Sequence, residues 1–242
     1  SWIVRIPGKR SGRIIVGLAL MLLPACGGGA GEGGRRADSA AAGTGGAVAP
    51  ADSAPAPSGG GTIVFLGTSL TAGLGLDPDS AYPALIQRKL DSAGLRYTVV
   101  NAGQSGESSA GALRRVDWIL RQRPAVLVIE TGANDGLRGQ EPDSTRANIQ
   151  AMVDRARAQS PGTRIVLAPM EAMPNLGQDY VRRFRAIFPA IADANGIPLL
   201  PFILDGVGGV DSLNQQDGIH PNEAGARVVA ANVWRGLRPV LE

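Results

Sequence analysis

The sequence predicts a doubly wound α/β domain built on a parallel sheet of five strands. Short runs of β-branched and other apolar residues alternate along the chain with longer amphipathic segments. This alternation is typical of βαβ units, in which helices cover a parallel sheet. Small or polar residues directly follow several of the apolar runs, as expected at the ligand-binding edge of an open sheet. Together these observations favour a flavodoxin-like sandwich of three layers.

Each predicted element rests on its own local pattern. The apolar runs predict strands, and segments with apolar residues at helical spacing predict helices. The predicted strands are 62–67, 97–100, 125–129, 164–168 and 197–202. The predicted helices are 81–93, 108–121, 143–159, 180–194 and 223–237.

The stretch Thr62 to Gly73 organises the rest of the chain. Its apolar run ends at Gly67, and the small residues Thr68 and Ser69 follow. A serine presented just beyond the carboxyl end of a buried strand is well placed to act as a nucleophile. Taken alone, Ser69 is better explained as a turn residue or a helix N-cap, because short motifs often match by accident.

The first 61 residues are predicted to lie outside the folded domain of residues 62–242. Residues 1–26 combine basic residues with a short apolar run that ends at Cys26, as in a bacterial lipoprotein signal peptide with a lipobox. Residues 27–61 are rich in glycine, alanine, proline and serine and predict a flexible linker. We therefore expect lipidation at Cys26 and a domain anchored to a membrane of the bacterial cell envelope, periplasmic or on the outer surface.

Charge and composition exclude several classes of function. Six of the 24 basic residues and three of the 21 acidic residues precede residue 62, which leaves 18 of each sign in the domain. A formally neutral domain without a basic stripe argues against nucleic-acid binding. One histidine and one cysteine cannot form a transition-metal cluster, and a single cysteine cannot form an internal disulfide. We expect no metal, no cofactor and a monomeric protein.

His220 supplies a base for the serine. It is the only histidine of the chain, and Asp217 precedes it by three residues on a loop bounded by glycine and proline. Asp217 could hold the imidazole in one tautomer while the other ring nitrogen takes a proton from Ser69, as in a Ser-His-Asp triad. The Gly-x-Ser-x-Gly turn of α/β-hydrolases is not present around Ser69.

Four blocks of sequence resemble those of the SGNH (GDSL) hydrolases. They occur in the family's order, and the resemblance covers residues 62–238. Within the superfamily the chain is similar to the bacterial multifunctional thioesterase, lysophospholipase and arylesterase group. The blocks are Gly67–Leu70, Asn101–Gly106, Gly132–Gly139 and Asp217–Asn222.

This resemblance implies the SGNH hydrolase fold and a role for each block. Ser69 is implied as the nucleophile, with Asp217 and His220 as the acid and base of the triad. The oxyanion hole is implied to consist of the N–H groups of Ser69 and Gly106 and the side chain of Asn134. The substrate pocket is implied at Leu70, Met173, Pro174 and Ile219, for which ordinary packing is an equally good interpretation.

The chain departs from the family pattern beside the nucleophile. Thr68 stands where the family usually has aspartate, and Ala133 replaces a usual glycine. Thr68 could still make a short side-chain bond to the backbone of the turn. The substitution brings the support of the turn, and with it the pH profile, into question.

The expected function is a serine esterase that acts on carboxylic esters or thioesters of lipid-like or aryl substrates through an acyl-enzyme. One alternative is an SGNH carbohydrate deacetylase, which uses the same chemistry on another substrate. Another is a flavodoxin-like binding module without catalysis, since a fold does not by itself determine function.

Overall fold

The computed structural model describes residues 60–242. The predicted leader, the lipidation site at Cys26 and most of the predicted linker lie outside the described residues and stay predictions. Strand β1 begins at Gly60, two residues inside the stretch predicted as linker, because Gly60 and Gly61 pair with Arg96 and Tyr97 of the next strand.

A parallel sheet of four strands forms the centre of the domain. The strands are β1 (Gly60–Gly67), β2 (Arg96–Gly103), β3 (Val126–Glu130) and β4 (Arg164–Ala168). Their order is β2-β1-β3-β4, and every neighbouring pair runs parallel. The strand that leads to Ser69 therefore lies inside the sheet, between β2 and β3.

The predicted fifth strand at 197–202 does not form. Only Leu199 makes a parallel bridge, to Leu167 of β4. Leu167 N–H donates to Pro198 O at 2.9 Å, and Leu200 N–H donates to Leu167 O at 2.8 Å. The N–H groups of alternate residues face β4, and Pro198, which precedes Leu200 on that side, has no N–H to extend the ladder. The prediction of a five-stranded sheet is therefore wrong, and the described sheet has four strands.

Seven α-helices connect and cover the strands in the described part of the chain. They are α1 (Ser69–Ala72), α2 (Tyr82–Ser92), α3 (Ser109–Leu120), α4 (Ala133–Leu137), α5 (Pro142–Gln159), α6 (Gln178–Asn195) and α7 (Glu223–Leu241). Helix α2 packs on α7, whereas α3 packs on α5 and α5 on α6. The short helix α4 was not predicted, because its five residues are too few to show a helical period.

The core lies between the sheet and these helices. The apolar residues of β1 and β3 are buried throughout, from Ile63 to Leu66 and from Val126 to Ile129. Because the strands are parallel, β1 and β3 end at the same edge of the sheet. None of the helices that the structure describes is long and apolar enough to cross a membrane.

Candidate active site

Ser69 lies directly beyond the carboxyl end of β1. Thr68 is extended, with φ −101° and ψ −151°, and Ser69 is the first residue of the one-turn helix α1. Gly73 ends this helix in the left-handed conformation, at φ 71°. A side chain at Gly73 would also clash, since its Cβ would lie 2.5 Å from that of Ala81. The sharp strand-to-helix turn places the serine side chain at the sheet edge.

His220 and Asp217 meet Ser69 although 151 residues separate the histidine from the serine. His220 Nε2 lies 2.9 Å from Ser69 Oγ, and His220 Nδ1 lies 2.6 Å from Asp217 Oδ2. With the Nδ1–H tautomer, the ring donates to Asp217 and accepts the proton of Ser69. The predicted serine, histidine and aspartate thus stand in one hydrogen-bonded line.

The Asp217 carboxylate is fixed by its own loop. Its Oδ1 accepts from the N–H groups of Ile219 at 2.9 Å and His220 at 3.0 Å. Burial raises the pKa of Asp217, but these N–H groups and the His220 ring outweigh it, so the pKa lies below its usual value. The carboxylate therefore stays ionised and able to orient the imidazole wherever the histidine is neutral.

The predicted oxyanion-hole residues border the same cavity as Ser69 and His220. Gly106 follows β2 with φ 77°, a backbone conformation that favours glycine. Asn134 lies in α4, just after β3. The structure therefore gathers Ser69, Gly106 and Asn134 around one space.

Hydrogen bonds to backbone carbonyl groups hold Gly106 and Asn134 in place. Asn134 Nδ2 donates one hydrogen to Glu107 O at 3.0 Å, which leaves the second amide hydrogen for another acceptor. Arg138 Nη2 donates to Gly106 O at 2.9 Å. Glu107 is itself fixed by Arg115 through contacts of 2.6 to 2.9 Å. The donors that would face an oxyanion are therefore held before a substrate arrives.

Thr68 differs from its expected arrangement. Its hydroxyl does not bond the backbone of the turn; it donates to Glu130 Oε1 at 2.9 Å. The expectation from sequence was wrong because Glu130 stands 62 residues away, at the end of the neighbouring strand β3.

An apolar cavity of about 280 Å³ opens beside the serine and histidine. Its walls include Leu70, Met173 and Ile219, three of the four residues predicted for a substrate pocket. Ile219 is 37% exposed, so it forms part of the rim rather than the core. A cavity of this size and character fits a small apolar group next to Ser69.

The fourth predicted pocket residue, Pro174, lies elsewhere. It begins a 3₁₀ turn, Pro174–Leu176, and lines a neighbouring recess that also contains Arg185 and Asp205. This recess shares Glu171, Ala172, Phe202 and Leu204 with the apolar cavity, and the role of Pro174 in the pocket stays a prediction. Sequence reasoning also missed several apolar lining residues, since nothing in their local pattern distinguishes them from core residues. These are Leu74, Leu137, Phe202 and Leu204.

Comparison with known proteins gives two related enzymes. Esterase TesA of Pseudomonas aeruginosa is 41% identical over 181 residues, which cover 74% of this chain and 89% of the relative. Thioesterase 1/protease 1/lysophospholipase L1 of Escherichia coli is 34% identical over 181 residues, covering 74% of this chain and 85% of the relative. Both alignments span most of a relative whose name gives an ester-cleaving activity.

Solved structures and a family model agree with this result. The psychrotrophic esterase EstA from Pseudoalteromonas, in a crystal structure inhibited by monoethylphosphonate, superimposes with a TM-score of 0.71 at 32% identity, covering 74% of this chain and 98% of EstA. The model of the GDSL-like lipase/acylhydrolase family matches residues 65–228. The resemblance seen in the four sequence blocks is thereby confirmed, and the chain belongs to the GDSL-like lipase/acylhydrolase (SGNH hydrolase) family.

Proposed function

We propose that the protein is a serine esterase that cleaves esters or thioesters of apolar acyl groups, including lipid-like and aryl esters. The observation that carries the proposal is the line from Ser69 Oγ through His220 to Asp217, with contacts of 2.9 and 2.6 Å, at the mouth of an apolar cavity. The ester-cleaving names of the relatives support the same chemistry.

The first half of the reaction forms an acyl-enzyme. Ser69 Oγ attacks the carbonyl carbon while His220 Nε2 takes its proton, and the carbonyl oxygen becomes an oxyanion. Donors at Ser69, Gly106 and Asn134 stabilise that charge. The tetrahedral intermediate then collapses, the bond to the leaving alcohol or thiol breaks, and His220 gives that leaving group its proton.

The second half releases the acid. His220 takes a proton from water, which attacks the acyl carbonyl, and the bond to Ser69 Oγ breaks as the proton returns to the serine. Asp217 stays ionised through both halves and stabilises the imidazolium that forms each time. Every proton in this cycle passes through groups that the described residues bring together.

The test of substrate class is a series of p-nitrophenyl esters compared with acetylated sugars. Because the cavity wall is apolar, we expect kcat/KM for the octanoate ester to exceed that for the acetate ester by about tenfold or more. Met173→Ser adds a polar group to the cavity wall. This variant should reduce kcat/KM for the octanoate ester and change kcat/KM for the acetate ester little. Faster release of acetate from sugars than turnover of any longer ester would instead identify a carbohydrate deacetylase.

Asn134→Ala tests the oxyanion hole. We expect kcat to fall about 10²- to 10³-fold with little change in KM, because the amide acts mainly on charge that develops in the transition state. Steady-state kinetics on the preferred ester separate the two constants. An increased KM with wild-type kcat would mean that Asn134 binds substrate and stabilises no oxyanion.

A further inference from the structure

Glu130, the last residue of β3, is a carboxylate with no part in the reaction described above. It is completely buried. None of the ion pairs among residues 60–242 includes it. A buried carboxylate without a cation requires hydrogen-bond donors, and those donors come from the turn that carries the nucleophile.

Three donors from this turn converge on Glu130. Thr68 N–H lies 2.8 Å from Oε2, Thr68 Oγ1 lies 2.9 Å from Oε1, and Thr71 Oγ1 lies 2.7 Å from Oε2. Tyr82 Oη lies 2.7 Å from Thr71 Oγ1 and donates to it, because the threonine proton is used on the carboxylate. The carboxylate therefore accepts directly from both ends of the segment that contains Ser69.

These contacts engage every polar group of Thr68, the residue before the nucleophile. The N–H and hydroxyl of Thr68 are held by Glu130, and Thr68 O accepts from Ala72 N–H at 2.9 Å. Only glycine fits at position 67, since a Cβ there would lie 2.6 Å from Glu130 Oε2. With Thr68 clamped, the direction in which Ser69 enters α1 is determined.

We propose that Glu130 is a positioning residue for the nucleophile, and that Thr68 is matched to it as a hydroxyl donor. The inference rests on the proposed esterase function. The Thr68 hydroxyl supplies a proton to Glu130 that an ionised aspartate at this position would lack. An aspartate at 68 would share a single proton with Glu130, as two adjacent carboxyl groups do.

Several titratable and charged groups lie near Glu130 and its hydrogen-bond donors. Tyr82 lies behind Thr71, and burial, followed by the charge of Glu130, raises the pKa of Tyr82 well above its ordinary value. On the other side, Arg115 Nη2 donates to Gly67 O at 3.3 Å while it pairs with Glu107. His220 and Asp217 are the charged or titratable groups next to Ser69 itself. Burial raises the pKa of Glu130 above its usual value, although the hydrogen bonds from Thr68 and Thr71 act in the opposite direction.

The first test changes only the hydroxyl. Thr68→Val removes the donor at nearly the same size, whereas Thr68→Ser keeps it. We expect kcat of Thr68→Val to fall about tenfold or more at unchanged KM, and Thr68→Ser to stay close to wild type. Wild-type kcat in Thr68→Val, or an equal loss in Thr68→Ser, would overturn the proposal.

The second test introduces a second carboxyl group. Thr68→Asp should add an ionisation to the pH profile, so that kcat/KM falls at alkaline pH by about tenfold per pH unit above the upper pKa of the pair. Thr68→Asn, uncharged and of the same shape, should keep the wild-type profile. The double variant Thr68→Asp/Glu130→Gln, which has one carboxyl group again, should lose the added ionisation. Identical profiles in Thr68→Asp and Thr68→Asn would contradict the shared proton.

Thermal unfolding provides a measurement that does not depend on turnover. The Tm of Thr68→Asp should fall relative to that of Thr68→Asn as the pH rises, because the two carboxylates then repel each other in the folded state. A constant difference in Tm across the pH range would overturn the pairing. If the wild type hydrolysed no ester but Thr68→Asp and Thr68→Asn showed the expected Tm difference, the esterase function would be refuted and the pairing supported.

Discussion

Ser69→Ala is expected to fold normally and to lose ester hydrolysis by about 10⁴-fold or more. The substitution removes one oxygen atom from a residue that the turn already fixes through its backbone, so the change in stability should be small. The same oxygen lies 2.9 Å from His220 Nε2 and forms the acyl bond in the proposed cycle. Kinetics on p-nitrophenyl octanoate measure the loss, and circular dichroism verifies the fold.

A matched control variant shows whether the loss of activity is specific to Ser69 or follows from replacing a serine elsewhere. Ser144 is exposed near the start of α5, and Ser144→Ala should keep the full rate. An alkyl phosphonate ester should modify the wild type and the Ser144 variant once each, and Ser69→Ala not at all. Substantial turnover by Ser69→Ala would eliminate the acyl-enzyme mechanism.

His220→Ala is expected to cause a loss comparable to that of Ser69→Ala, because members of one proton relay act as a unit. In the wild type, kcat/KM should rise with pH through one ionisation, that of the single base. The acidic partner does not add a second step there, since the pKa of Asp217 lies below its usual value and the group is ionised throughout. A pH profile of the wild type measures this single step.

The single histidine makes a chemical test unusually specific. Diethylpyrocarbonate, which modifies imidazoles, can react at only one histidine in the chain. Inactivation should follow the modification of one group per molecule, and hydroxylamine should restore activity. If His220→Ala kept wild-type kcat/KM between about pH 6 and 9, where a neutral imidazole would act as base, the base would be a different group.

The sequence was most informative where local chemistry carries the signal. Ser69 follows a continuous apolar run, and Asp217 and His220 share one short loop, so topology alone predicts that they meet at one edge of the sheet. The fifth strand was wrongly predicted because the apolar character of 197–202 outweighed its two prolines. A hydrophobic pattern reports burial, whereas a ladder also requires N–H groups.

What the sequence could not provide are contacts between distant segments. Glu130 has the appearance of an ordinary charged residue at a strand end, and only the register of β1 against β3 brings it under Thr68. Pro174 was assigned to the pocket through the resemblance, yet Met173 borders the apolar cavity whereas Pro174 borders the neighbouring recess. Pocket walls depend on such tertiary detail, and a linear pattern does not encode it.

The direction of β1 separates the point where the chain enters the domain from the catalytic serine. Gly60 and Gly67 are the two ends of this strand, roughly 23 Å apart at about 3.3 Å per residue, and the serine lies beyond the far end. Any group attached through the residues before Gly60 therefore joins the domain at the edge of the sheet opposite to the edge that carries Ser69.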